Sequence, residues 1–396
     1  SARGSSASLR GERLRSALVV SEVALACLLL VASALMVRSL VRVLDVDLGY
    51  DATNVVAIRI DPSTRFAANE ERVAFYSEAL RRVRGAPGVA SAGLTDVLPM
   101  GFNRRWDVRG TEEYREGEST TAFVRVASDG YVDAMGLSLM GGRDLLRTDG
   151  PSTRRVALVN ERLARVLWPG EDPLGRPVWS SGASYVVVGV VRDTRHLSPE
   201  QDPGPEVFFS ARQLSDQNAV HLVVRGSRSV DGLVETVRAE LGAIDSSLPL
   251  DEVTSIQAIL DASLAPRRFL VTLLAGFALF ALTLASLGIY GVISYAVAQR
   301  RREIGIHIAL GAPVRELRTR IVRQTLGLAA VGLVLGIVGA VLVSQVLQSM
   351  LFGITALDPI AYGAVVVTLA SVACVAGYVP ARRATLVNPL DSLSRR

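Results

Sequence analysis

The sequence predicts an α-helical membrane protein with four transmembrane helices and a large α+β extracytoplasmic domain between the first and second. Three observations carry this. Four apolar runs are each long enough to cross a hydrocarbon core of roughly 30 Å, which takes about 20 helical residues. Arginines cluster at alternate ends of those runs, which assigns their sidedness. Residues 45–265, between the first two runs, are polar overall and alternate between strand-like and helix-like patterns.

Segment 1–16 carries Arg3, Arg10, Arg13 and Arg15 ahead of the apolar run Ala17–Val37, and the first span is set at 17–40. The core of a signal peptide is usually only ~7–15 residues. This run is longer, and no small-residue cleavage site follows it before Arg38. Glu22 lies near its cytoplasmic end, where it is expected to snorkel or to pair with a neighbouring arginine.

Within 45–265 the expected elements are a strand at Thr53–Ile60, an amphipathic helix at Asn69–Arg84, and strands at Val89–Leu98 and Thr120–Ala127. A polar connection, 103–119, separates the last two. Further on come a strand at His221–Arg225, a helix at Val230–Leu241 and a strand at Leu250–Thr254. Outer pieces of the form β-α-β-β and β-α-β predict a ferredoxin-like split βαβ core. An inserted subdomain is placed at about 128–212, with a helix at Asn160–Leu167, a buried strand at Tyr185–Val191, and turns at Trp168-Pro169-Gly170 and Asp202-Pro203-Gly204.

The second span is set at 268–298, around Phe269–Val297, and a basic loop follows at 299–324. In it Arg300, Arg301, Arg302, Arg315, Arg318, Arg320 and Arg323 face only Glu303 and Glu316. Ile304 and Ile308 share one helical face, Glu303 and His307 stack at i,i+4, and Gly311-Ala312-Pro313 stops the helix. Such a helix can lie on the lipid surface or receive force from a soluble partner. The third span is 325–347, and its Gly332, Gly336 and Ala340 repeat at i+4 as a helix-packing stripe, within the chain or between copies. The loop 348–360 has no positive charge, the fourth span is 361–380 and ends at Pro380, and the tail 381–396 carries Arg382, Arg383, Arg395 and Arg396. Both termini and the 299–324 loop are thus expected in the cytoplasm, with the large domain and the 348–360 loop on the far side.

Composition excludes several function classes. Of 396 residues 49% are hydrophobic, and mean hydropathy is +0.34 although 20% are charged, so spans and a polar domain are averaged together. All 43 basic residues are arginine. Without a lysine no GxxxxGK[ST] phosphate loop can be written in this chain, so it is not expected to be an ATPase or other enzyme. The net charge of +5 sits at span flanks and reads as topology, not as nucleic-acid affinity. Cys27 and Cys374 lie in apolar runs and read as packed thiols. With His196, His221 and His307 as the only histidines and no HExxH or CxxC, no metal site and no catalytic residue are assigned. The carboxylates Asp129, Asp133, Asp144 and Asp149 read as loop-surface charge, and the spans offer no polar conduit.

These residues carry a resemblance. Gly288-Ile289-Tyr290-Gly291-Val292-Ile293-Ser294-Tyr295, Arg302-Glu303-Ile304-Gly305-Ile306, Ala309-Leu310-Gly311-Ala312, Leu351-Phe352-Gly353, Asp358-Pro359, Pro380-Ala381-Arg382-Arg383-Ala384 and Asn388-Pro389-Leu390 resemble the C-terminal block of MacB/FtsX-type ABC transporter permeases. Met135-Gly136-Leu137, Gly142-Arg143, Val159-Asn160-Glu161 and Asp172-Pro173-Leu174-Gly175 resemble that family's periplasmic core domain. The chain looks closest to duplicated orphan permeases of acidobacterial type, and its start without Met would suit one repeat cut from a longer chain. His307 departs from the family, which more often has arginine there.

The resemblance implies a bacterial inner-membrane permease whose partner is a cytoplasmic P-loop ATPase that binds the ATP and Mg²⁺, this chain holding no cofactor. It implies a second permease unit (homodimer or paired repeat) and a periplasmic adaptor or envelope enzyme as further partners, with lipid around the spans. Arg302, Glu303, Gly305, Ile306, Ala309, Leu310 and Gly311 match the family's ATPase-coupling segment. The implied function is transmission of ATP-driven motion to the outer domain for export or extrusion. The alternative is FtsX-like signalling to an envelope enzyme without moving substrate; a membrane-anchored enzyme is the third class.

Overall fold

The computed structural model describes residues 3–63, 65–66, 68–101, 103–113, 119–214, 219–227, 229–246, 250, 252–299 and 314–384. The chain divides into two compact units, residues 46–265 and residues 1–45 with 266–396.

In unit 46–265, strands β1 (Val55–Ile60), β2 (Val89–Thr95), β10 (Val220–Gly226) and β11 (Val253–Ser255) lie in the order β11-β1-β10-β2, all antiparallel. Helix α2 (Asn69–Gly85) connects β1 to β2, and α5 (Val230–Ile244) connects β10 to β11. This is the expected split βαβ core. The strands read as nearly continuous apolar runs because both faces are covered. Val56, Ile58 and Ile60 meet Phe75, Ala79 and Val83 of α2 and Leu233 and Val237 of α5. Val55 and Ala57, pointing the other way by the period of two, meet Tyr131 and Met135 of α3 (Tyr131–Met135).

Between β2 and β10 the chain builds something the sequence did not announce. Strands β3 (Arg105–Arg109), β4 (Thr120–Ala127), β6 (Val156–Asn160), β7 (Pro177–Ser180), β8 (Ala183–Val191) and β9 (Glu206–Ser210) pair in the order β4-β3-β7-β8-β6-β9, and β9 pairs back with β4. The ring closes, so these six strands present no open edge. Its interior is filled by Val124, Val159, Val207 and Phe209, with the Tyr185 ring 4.2 Å from that of Phe209. Strand β5 (Leu139–Gly142) adds to β8 from outside the ring.

The expected insert boundary at 128 therefore needs correcting. By sequence Thr120–Ala127 falls with the outer core, yet it pairs with β2 at one position only, Thr95↔Ala127, and its full length is taken by β3 and β9. The polar connection 103–119 likewise contains β3, whose outward residues are charged because its outer face is exposed. Helix α4 (Glu161–Leu167) starts behind Asn160, whose side chain accepts from Leu163 N.

The other unit contains helices α1 (Arg3–Leu44), α7 (Val314–Leu347) and α8 (Pro359–Ala384), and most of α6 (Ile256–Gln299). Four stretches, Arg13–Leu44, Ile256–Gln299, Val322–Met350 and Pro359–Arg383, are long and apolar enough to cross a membrane. With 44 residues, α6 is about 66 Å long, twice what a bilayer core requires. Pro380 does not end the last helix as expected. The helix continues to Ala384, because the turn beyond, with Ala381 fully buried, is held by packing that outweighs one lost backbone bond.

Candidate functional site

The sequence-assigned coupling residues Arg302, Glu303, Gly305, Ile306, Ala309, Leu310 and Gly311 lie outside the described residues. What is described is the helical frame that carries that segment, between the end of α6 and the start of α7.

Along the middle of that frame α7 is pressed against α1. A Cβ added at Gly332 would fall 2.8 Å from Val23 Cβ and 2.9 Å from the Val20 carbonyl oxygen. At Gly336 it would fall 2.5 Å from Cys27 Cβ and 2.8 Å from the Ala24 oxygen. Ala340, one turn on, is buried. The small-residue stripe thus faces α1 of the same chain, and the backbones approach too closely for any larger side chain. In lipid, where apolar burial gives helices no drive to associate, such packing supplies the attraction. Cys27 is buried in this contact, as its place in an apolar run suggested.

Both ends of the frame are tied by polar contacts. At one end Arg38 of α1 pairs with Asp358, whose Oδ1 also accepts from Ile360 N and Ala361 N at 3.0 Å and so caps α8. Next to it Phe352 N donates to Ser39 Oγ at 2.7 Å, and Gly353, at φ +66°, packs 3.4 Å from Arg42 Cβ through the position its own Cβ would take. Arg267 donates to the Met350 carbonyl at this end. At the opposite end the Arg15 guanidinium lies 4.1 Å over the Tyr295 ring, and Arg383 donates to Tyr290 Oη at 3.1 Å. In the sequence Leu351-Phe352-Gly353, Asp358-Pro359 and the two tyrosines stand out only as motifs. Their partners sit on other helices, so no local signal could have named them.

Glu22 departs from expectation. No ion pair joins it to a described arginine, and its Oε2 is buried without a hydrogen bond, against Gly288 of α6. Arg15, the arginine nearest in sequence, is turned to Tyr295 instead.

In the head, polar residues converge between β4, β9 and the loop after β8. Arg125 and Glu206 are buried and paired, and Glu206 Oε2 meets His196 Nε2 at 2.5 Å and Thr194 Oγ1 at 2.9 Å. Arg125 donates in addition to the Val97 carbonyl and Asn103 Oδ1, each at 2.9 Å. Burial and then the Arg125 charge hold His196 below the usual histidine range. Burial opposes ionisation of Glu206, yet His196 and Arg125 hold its carboxyl below the usual range. Arg125 and His196 share one carboxylate; the guanidinium keeps its charge there, and burial together with that charge favours the neutral form of the imidazole. Asp129 and Asp149 are not surface charges as expected. Asp129 pairs with Arg84 at 2.7 Å, and Asp149 is buried under a two-point contact from Arg143 at 2.8 and 2.9 Å. Among the described residues no group of His, Cys, Asp and Glu could hold a metal ion.

Comparison with known proteins gives this frame a family. The model of the MacB-like periplasmic core domain matches residues 16–243, and that of the FtsX-like permease C-terminal matches residues 275–389. The chain belongs to the MacB/FtsX-type permease family. It is an ABC transporter permease of that type and an inner-membrane protein, with four transmembrane helices and a large extracytoplasmic domain between the first and second. The macrolide export ATP-binding/permease protein MacB of Neisseria meningitidis is 24% identical over 303 residues, 72% of this chain and 45% of that protein. The permease thus spans less than half the length of that relative. The ABC transporter permease YknZ of Bacillus subtilis is 24% identical over 286 residues, 70% of each chain. The periplasmic region of MacB from Actinobacillus actinomycetemcomitans aligns with 56% of this chain and 97% of its own, at 16% identity and a TM-score of 0.38.

Proposed function

We propose that this permease transmits the ATP-driven motion of a separate cytoplasmic P-loop ATPase to its extracytoplasmic domain, and so drives export or extrusion of a molecule there. The observation that supports the reading is the α1–α7 contact. Backbones in contact at Gly332 and Gly336, with α1 held at one end by Asp358 and at the other through Tyr295, make a unit that moves as one piece. A chain whose spans offer no polar conduit can carry force through the membrane more readily than solute. ATP and Mg²⁺ are held by the partner, since this chain has no lysine for a phosphate loop. Both termini and the 299–324 loop face the cytoplasm. In support, Arg15 and Arg383 share one end of the frame, while the 348–360 connection, without positive charge, lies at the other. A second permease unit covers the outer stripe of α6, where Phe269, Leu273, Phe277 and Phe280 are exposed around Gly276.

The test is reconstitution of the permease with its ATPase in nanodiscs. Ile306→Pro, Glu303→Ala and Gly305→Leu are each expected to lower ATPase binding or its stimulation at least several-fold while thermal unfolding of the spans is unchanged. ATPase binding and stimulation that survive Ile306→Pro would remove the coupling role from this segment.

A further inference from the structure

The first covalent link from span to head is a strap, residues 47–51, and its anchors lie where the ring closes. Asp45 and Val46 alone separate it from Leu44, the last residue of α1. The strap lies against the loop that follows β8. Arg195 N donates to the Leu48 carbonyl at 2.9 Å, and Arg192 pairs with Asp47 at 3.0 Å. Between these contacts Gly49, at φ +78°, comes so near that a Cβ there would fall 2.2 Å from the Asp193 carbonyl oxygen. A side chain is excluded twice, by the backbone angle and by the close approach. The Asp47–Arg192 pair is exposed and adds little to this hold.

The same loop runs into the seam between β4 and β9. Thr194 and His196, which flank the Arg195 that holds Leu48, both bond Glu206 of β9, the partner of Arg125 on β4. Tyr50 reaches the seam from within the core, buried in one cluster with Ala127 of β4 and Phe208 of β9. On its other side the strap is clamped to the split βαβ core. Arg225 of β10 donates to the Asp51 carboxylate at 2.8 Å and to the Asp51 carbonyl at 2.6 Å, and Asp51 N donates to the Met135 carbonyl at 3.0 Å. That clamp stands ahead of Val55, where β1 begins.

We propose that residues 47–51 are the joint through which displacement of α1 enters the head, passed by the 192–196 loop to the β4–β9 seam and kept from β1 by the Asp51–Arg225 clamp. The joint rests on the transmission reading and adds the point of entry to it. A link as short as Asp45-Val46 passes on a shift that a long flexible loop would absorb. Because Thr194, His196 and Arg125 share the Glu206 carboxylate, a shift of the loop changes what Arg125 meets across the seam. The second covalent link, at the start of α6, is the competing route, since Ile256 is buried in the same cluster as Tyr50.

The experiment reads hydrogen exchange by mass spectrometry on the full chain in nanodiscs, alone and with its ATPase, without nucleotide and with ATP and vanadate. Alone, Gly49→Ala should speed exchange several-fold at residues 192–196 and 206–210 and leave β1 and β10 as they are. With the ATPase, ATP and vanadate should change exchange in those two segments of the wild type. A run of glycines inserted between Asp45 and Val46, which leaves Gly49 and Asp51 at their anchors, should abolish that change while ATPase binding persists. Should Gly49→Ala disturb β1 and β10 as well, the glycine insertion decides alone. A nucleotide-dependent change that survives the insertion would mean that motion enters through α6, and would overturn the joint. Unaltered exchange at 192–196 and 206–210 in Gly49→Ala, measured without the ATPase, would overturn it whether or not the permease transmits motion. No nucleotide-dependent change anywhere in the wild-type head would instead remove the transmission reading, and the joint with it.

Discussion

Arg38, near the end of α1, forms an ion pair with Asp358, 320 residues further along the chain, and the same carboxylate caps α8 through the backbone N–H groups of Ile360 and Ala361. One side chain therefore fixes the start of the last span and ties it to the first.

Asp358→Ala removes both functions, and Asp358→Asn keeps the cap while losing the charge. A lost cap costs about 1 kcal/mol, and loss of the charge from this largely buried ion pair costs more than the about 0–1 kcal/mol of an exposed one. Thermal unfolding in nanodiscs should rank wild type above Asp358→Asn above Asp358→Ala. Equal melting of the two variants would show that the cap contributes nothing.

Gly336 and Gly327 lie on the same helix in opposite situations. A Cβ at Gly336 enters Cys27, whereas one at Gly327 meets nothing within 4 Å. Gly336→Ala should destabilise by about 1–3 kcal/mol through overpacking. Gly327→Ala should be neutral or stabilising, since alanine favours helix by about 1 kcal/mol. Similar unfolding temperatures for the two would contradict the close α1–α7 approach.

Arg125→Met leaves the Glu206 carboxylate buried without its guanidinium, a loss expected at about 3–5 kcal/mol. Arg125→Met with Glu206→Leu removes both charges and should recover a substantial part. Trp106, Trp168 and Trp179, the chain's three tryptophans, all belong to the stretch that forms the ring, so intrinsic fluorescence reports this region directly. A double variant no more stable than the single one would mean that the pair is not the origin of the loss.

His196 should make the head sensitive to acid. Its folded-state value is held below the ordinary 6.5 by burial and then by Arg125, so the unfolded chain takes up the proton more readily. Stability present above about pH 6.5 is then lost as pH falls below it. His221, lowered by burial and then by Arg59, acts in the same sense. Asp144 acts oppositely: burial and then Asp133 and Asp129 raise it to about 6, so its protonation favours the folded state as pH falls through that value. The decisive quantity is therefore a difference. Between about pH 7.5 and about pH 5 the wild type should lose more tryptophan-reported stability than His196→Gln. Parallel losses would show that His196 does not titrate there.

The two levels of structure contributed unequally, for physical reasons. Spans are legible because the bilayer imposes a length and a polarity on a contiguous run. The βαβ core is legible because β1, α2, β10 and α5 each carry their own period, and both faces of β1 are buried. The sequence by itself thus determined a four-span permease with a polar head and, through motifs in order, its family. What tertiary structure alone decided are relationships between distant residues: Arg38 with Asp358, Gly336 against Cys27, Arg125 with Glu206, and the closure of β9 onto β4. A strand's amino acids state that it will pair and not with which partner, so Thr120–Ala127 fitted the outer core on paper and joined the ring in fact. A carboxylate such as Asp358 looks the same in sequence whether it faces water or a guanidinium 320 residues away, since the energy that distinguishes the two comes from the partner.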